Sequence, residues 1–142
     1  MAKLLARKLK NSEFKRVPGS GALGTIMHES RLSGDVKGKV PFLSKGFNIE
    51  AKTGYGGSKQ LAVKKEWFDK CREEAENSYA IPLLACKFSN ARAGVKHFIA
   101  MDIEAFTEIL EEANKLYEDF IKLQEKLDAD FDLEVLKADL EE

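Results

Sequence analysis

Between residues 47 and 89 the apolar pattern changes period twice, and no other feature limits the possible folds as much. FNIEAK (47–52) alternates as a strand does. Phe47, Ile49 and Ala51 fall on one face, and Asn48, Glu50 and Lys52 on the other. After TGYGGSKQ (53–60), Val63, Trp67, Cys71 and Ala75 recur every four residues. That stripe predicts a helix over about 60–77, with Ser58 in place to cap it. AIPLLACKFS (80–89) then reads as a strongly apolar strand, and VKHFIAM (95–101) as another that pairs with it through NARAG.

The flanks complete the order. A short basic helix is expected over 2–10, with Leu4, Leu5 and Leu9 on one side. FKRV (14–17) and DVKGKV (35–40) read as strands, the second running into Pro41 at an edge or turn. A long helix is expected from about 103 to 127, where Phe106, Leu110, Ala113, Tyr117 and Phe120 step by four and three. Its seam would lie on the sheet or on a second copy. The sequence α-β-β-β-α-β-β-α predicts an α/β fold, a mixed sheet with helices packed on it. A chain of 142 residues suits one such domain.

Composition excludes some classes. No apolar run approaches the roughly 18 residues of a membrane span, and MAKLLARKLKN lacks the apolar core of a signal peptide. Cys71 and Cys86 stand in no metal-ligand spacing and are expected as free thiols near the core of a cytoplasmic protein. The net charge of −1 hides a division: residues 1–100 carry 19 Lys+Arg against 9 Asp+Glu, and residues 101–142 carry 4 against 15. A basic body facing an acidic end points to a polyanionic partner for the body.

The charged face of the 47–52 strand suggests the chemistry. Asp35, then Glu50-Ala51-Lys52, has the form D-x(n)-(D/E)-x-K. Two carboxylates from adjacent strands are suited to a hard divalent cation such as Mg²⁺. The Ala51 carbonyl is a candidate further ligand. A lysine two residues on shares the Glu50 face and is placed to orient water and stabilise a charged phosphoryl transition state. The competing reading of these residues is a structural Glu50–Lys52 salt bridge. Upstream, FKRVPGSGA puts Arg16 at a strand end before a glycine-rich turn with Ser20, a combination suited to gripping phosphate oxygens. Tyr55 and Lys59, in the loop after Lys52, are candidates to fold over DNA. Gln60 is a candidate polar group at a helix start.

RVPGSGA (16–22), GDV (34–36), IEAK (49–52) and IPLLACKF (81–88) stand in the order seen in archaeal-type Holliday junction resolvases, which some phages also carry. The resemblance covers roughly residues 14–100. It implies a restriction-endonuclease-like fold of the PD-(D/E)xK superfamily, dependence on Mg²⁺ with Mn²⁺ as a substitute, and a homodimer that nicks opposed strands of a four-way DNA junction. It points to Asp35 and Glu50 as metal ligands, Lys52 as the catalytic lysine, Arg16 and Ser20 as a phosphate-binding pair, and Lys87 as a DNA contact. On this reading residues 1–127 form a single nuclease domain and 128–142 an acidic tail. The dimer surface would come from the 60–77 helix or the 80–89 strand.

The sequence also departs from that pattern. The resolvases carry an acid on their first helix, whereas AKLLARKLK has none; Glu13 and Glu29 are the nearby alternatives. His28 falls in a stretch longer than usual before the acid, and reads as a loop histidine. His97 reads as a sheet residue. Two other functions stay open at this level: another repair- or restriction-type nuclease on the same fold, and a DNA-binding protein without catalysis.

Overall fold

The computed structural model describes residues 1–18, 34–54, 60–89 and 93–140, with side chains through Phe131. The elements are α1 (Ala2–Lys8), β1 (Glu13–Arg16), β2 (Val36–Lys39), β3 (Gly46–Thr53), α2 (Lys65–Asn77), β4 (Ala80–Lys87), β5 (His97–Ala100) and α3 (Ile103–Leu140). The strands form one sheet in the order β1-β2-β3-β4-β5. Neighbours are antiparallel except β3 and β4, which run parallel from Gly46↔Ala80 to Thr53↔Lys87. Parallel neighbours need a long crossover, and α2 supplies it.

Each sheet face has its own core. On one, Val36, Phe47, Ile49, Ile81, Leu83 and Ala85 pack with Ala105 of α3, and Leu5 of α1 and Phe14 of β1 close the margin. On the other, Leu84 and Cys86 meet Cys71 of α2, with Leu61, Trp67 and Phe68 around them. The alternation along 47–52 therefore holds, but both faces are covered: Asn48 is as fully buried as Ile49, while Ala51, at the strand's far end, is exposed. This is the mixed, helix-flanked α/β arrangement of a restriction-endonuclease-like fold. Among the described residues no helix is long and apolar enough to cross a membrane.

Two helix boundaries differ from the sequence reading. The helix expected from Gln60 starts at Lys65, and its N-cap is Lys64 and not Ser58. Leu61 explains the delay: it packs against Gly54 and into the Cys71–Leu84–Cys86 cluster. Tertiary packing thus holds 60–64 out of the helix. At the other end, α3 continues to Leu140, thirteen residues past the expected stop at Leu127. DADFDLEVLKADL contains neither Gly nor Pro, so nothing in it breaks the helix.

The seam of α3 does not lie on the sheet. The row that faces the body is Ala105 and Ile109, followed by Glu112, which accepts hydrogen bonds from the Ser44 N–H at 2.6 Å and hydroxyl at 2.7 Å. Glu108 pairs with Lys45 at 2.6 Å. The two surfaces expected to form a dimer are also occupied within the chain: β4 is a central strand, and the apolar side of α2 packs on the sheet.

Candidate active site

The candidate residues gather where β2 begins and β3 ends. Asp35 immediately precedes β2, and its backbone N–H donates to the Ile49 carbonyl at 2.9 Å. Its carboxylate Oδ2 accepts the Ala51 N–H, also at 2.9 Å. Asp35 therefore brackets Glu50, bonding to the residues on either side of it. Glu50 and Lys52 share one face of β3, as alternation requires, and the Lys52 ammonium donates to Glu50 Oε1 at 2.7 Å. That pair is largely sheltered, with side chains 14% and 24% exposed. Low exposure strengthens the pairing relative to a surface ion pair.

Lys52 has a second neighbour. Its ammonium lies 5.3 Å from the ring centroid of Trp67 on α2, within the range of a cation–π attraction. In the sequence Trp67 reads only as part of the apolar stripe of that helix. It also packs in the core, so one ring serves both purposes. Cys86, opposite Lys52 in the parallel ladder, forms the floor beside it.

A polar chain continues from Glu50 toward the start of β3. Lys37 donates to Asn48 Oδ1 at 2.7 Å and to Ser78 Oγ at 3.2 Å. Burial holds the Lys37 ammonium below the ordinary lysine range, partly offset by the Glu74 carboxylate. Among the described residues, Asn48 Nδ2 is buried without a hydrogen-bond partner. Glu74 accepts the Gly34 N–H at 2.9 Å and so fixes the residue just before Asp35. Trp67, Cys71 and Glu74 stand at i, i+4 and i+7, one face of a helix. That spacing was the available signal for Glu74, but the apolar repeat drew attention to Ala75 instead.

Arg16 ends β1, and it lines an open cleft of about 500 Å³ with Asp35, Val36, Ala51 and the first residues of α1. Asp35, Ala51 and Arg16 are thus brought together, while the Glu50 and Lys52 side chains stand on the α2 side of the same strand end. Lys87 lies opposite Thr53 and His97 in the ladders. It is exposed, and by alternation it shares the face of Ala51 and not that of Lys52. Its carbonyl accepts the Gly54 N–H at 3.0 Å. His97 is an exposed residue at the start of β5.

Other candidates are moved or lie elsewhere. Glu13 pairs with Lys15 at 3.0 Å on the exposed side of β1, at the end away from Arg16, so it does not supply the absent helix acid. Gln60 is exposed and precedes the helix by five residues, because α2 begins at Lys65. Ser20, His28, Glu29, Tyr55 and Lys59 lie outside the described residues.

Among the described residues no three His, Cys, Asp or Glu side chains are grouped closely enough to enclose a metal ion. The oxygen donors at hand are the Asp35 carboxylate just before β2, the Glu50 carboxylate on β3 and the backbone between them. An oxygen-only set of this size suits a hard cation that keeps most of its water, as Mg²⁺ does. It does not suit a closed, soft-ligand metal centre.

A mixed sheet that joins an aspartate before one strand to a Glu-x-Lys at the end of the next defines a PD-(D/E)xK nuclease. The comparison with family models agrees: the model described as "Phage putative PDDEXK endonuclease" matches residues 1–142. The chain belongs to that family. No curated protein matches it.

Proposed function

We propose that this protein is a divalent-cation-dependent endodeoxyribonuclease that resolves four-way DNA junctions by paired nicks, working in the cytoplasm as a homodimer. The observation that carries the nuclease chemistry is the bracketing of Glu50 by Asp35, with Lys52 held beside it. The junction preference rests on the ordered resemblance of RVPGSGA, GDV, IEAK and IPLLACKF to the archaeal-type resolvases. A four-way junction has approximate two-fold symmetry, and a two-fold dimer would present two sites to opposed strands.

In this mechanism Asp35 and Glu50 would hold Mg²⁺, or Mn²⁺ in its place, with the Ala51 carbonyl as a further oxygen. The bound cation would polarise the scissile phosphate and acidify water. Lys52 stays positioned by the Trp67 ring while its N–H groups turn to a phosphate oxygen, stabilising the charge that builds there. Arg16, across the cleft from Asp35, grips a neighbouring phosphate through its planar guanidinium. Ser20 would add a hydroxyl to that grip. Lys87 and Lys59 would contact the DNA backbone.

The test is cleavage of a synthetic four-way junction beside linear duplex of the same sequence, with Mg²⁺ and with chelator. Selective, Mg²⁺-dependent cleavage of the junction that disappears in Asp35→Asn is the expected result. Equal cleavage of both substrates removes the junction preference and keeps the nuclease. Binding without cleavage of either removes the enzyme.

A further inference from the structure

The strongest feature outside the site is the outer face of α3. The helix has 38 residues, about 57 Å at 1.5 Å per residue. Its body contacts lie near its start. Beyond Asp119, no hydrogen bond or ion pair between α3 and the body occurs among the described residues; Lys122 reaches only Asp119 of the same helix, at 4.0 Å. A bare helix of that composition is marginal in water, because most helical stability in proteins comes from packing of an apolar face.

That face is present and uncovered. Phe106, Leu110, Tyr117, Phe120, Leu127 and Phe131 are 45% to 67% exposed. Ala113 and Gln124 fill the two intervening steps, so the spacing from 106 to 131 is 4, 3, 4, 3, 4, 3, 4 without interruption. A 3.5-residue repeat sustained over nearly four heptads is the pattern of a coiled-coil seam, and the exposed Leu116 and Leu123 widen the apolar surface beside it.

The charges indicate what covers it. Residues 103–131 carry nine acids and three lysines. A second copy would be repelled if those acids lined the seam, yet of the nine only Asp128 and Asp130 flank it, at its far end. Glu104, Glu111, Glu118 and Glu125 recur every seven residues on the far side of the helix. The positions flanking the seam from 107 to 123 are Thr107, Ile109, Asn114, Leu116, Ile121 and Leu123, none of them charged. A partner chosen for a basic surface would need acids at those positions. Gln124 falls at the seam position where a single polar residue in a parallel pair meets its own counterpart and fixes register.

We infer that α3 pairs in parallel with α3 of a second copy of this chain, through the 106–131 seam, as a two-stranded coiled coil. The interface stands whatever reaction the body performs.

The full chain provides the test, measured by sedimentation or light scattering at micromolar concentration. The wild type is expected to have the mass of a dimer. Phe120→Glu combined with Leu127→Glu should halve that mass, with the emission of Trp67, on α2 and away from the seam, unchanged. Gln124→Cys should form a disulfide-linked dimer on mild oxidation. The wild type should not, since Cys71 and Cys86 are buried. A monomeric wild type, a double variant that keeps the dimer mass, or a Gln124→Cys protein that does not cross-link overturns the parallel pairing.

Discussion

The ammonium of Lys52 stands between the carboxylate of Glu50, 2.7 Å away, and the ring of Trp67, 5.3 Å from its centroid. The lysine is thereby held by two unlike partners, a carboxylate and an aromatic face. Lys52→Ala should abolish cleavage, with a loss of at least about 10²-fold, as for removal of a preorganised charge-stabilising donor. DNA binding, carried by other cations, should persist. Cleavage and binding assays on one preparation decide it, and wild-type cleavage by the variant would show the lysine to be structural.

Trp67 should act through Lys52. A cation–π contact contributes about 0.5–2 kcal/mol, so Trp67→Leu should lower kcat by about two- to thirty-fold at 1.36 kcal/mol per decade. Trp67→Phe keeps an aromatic face and should recover much of that loss. A purely packing role predicts lower thermal stability in both variants with kcat unchanged, so kinetics and melting together separate the two.

Asp35→Asn tests the acid without removing its structural bond. The amide oxygen of asparagine still accepts the Ala51 N–H, and the fold should survive. The lost carboxylate should weaken divalent-cation binding, and cleavage should fall by about 10²-fold or more. Raising Mg²⁺ should recover part of the activity. Equal activity of variant and wild type across a Mg²⁺ titration would remove Asp35 from the metal-binding role.

The sequence revealed what depends on near neighbours and missed what depends on the fold closing. The period-two pattern of 47–52 placed Glu50 and Lys52 on one face because strand geometry alone decides that. The pairing of β5 with β4 was legible for the same reason. The start of α2 was not, because Leu61 is diverted into a core completed by Leu84 and Cys86, more than twenty positions away. Trp67 and Glu74 reach β3 and Gly34 only once the crossover has laid α2 over the sheet. The end of α3 was placed at Leu127 because residues 128–142 read as an acidic tail, yet helix continuation needs only the absence of breakers.

Gly34 is where the acid-bearing segment depends on backbone freedom. Its φ is +69°, and a methyl group there would overlap Asn48 Oδ1. Asn48 is fully buried and cannot move aside cheaply. Gly34→Ala should destabilise by about 1–3 kcal/mol, lowering Tm by on the order of 5 °C or more. It should also shift Asp35, so activity measured well below Tm should fall. A variant with wild-type Tm would show that the turn accepts a side chain.

The buried thiol of Cys71 gives stability a pH dependence with a definite sign. Burial pushes its pKa up from 9.0 to about 11, with its Sγ facing the Leu83 carbonyl at 3.5 Å and that of Asn48 at 3.7 Å. Below pH 9 folded and unfolded chains both hold the proton, and the thiol adds no pH dependence. Between pH 9 and 11 the unfolded chain releases it and the folded chain does not, so stability falls by up to about 2–3 kcal/mol. Cys86, also raised by burial, acts in the same direction. Lys37 acts in the opposite one: its folded pKa lies below 10.5, so its unfavourable burial is relieved as pH rises through that value. Comparison of wild type with Cys71→Ala by denaturant unfolding isolates the thiol. The variant should be less stable at pH 8 through its cavity, yet lose less on going to pH 11, and identical losses in both would show that Cys71 keeps no such hold on its proton.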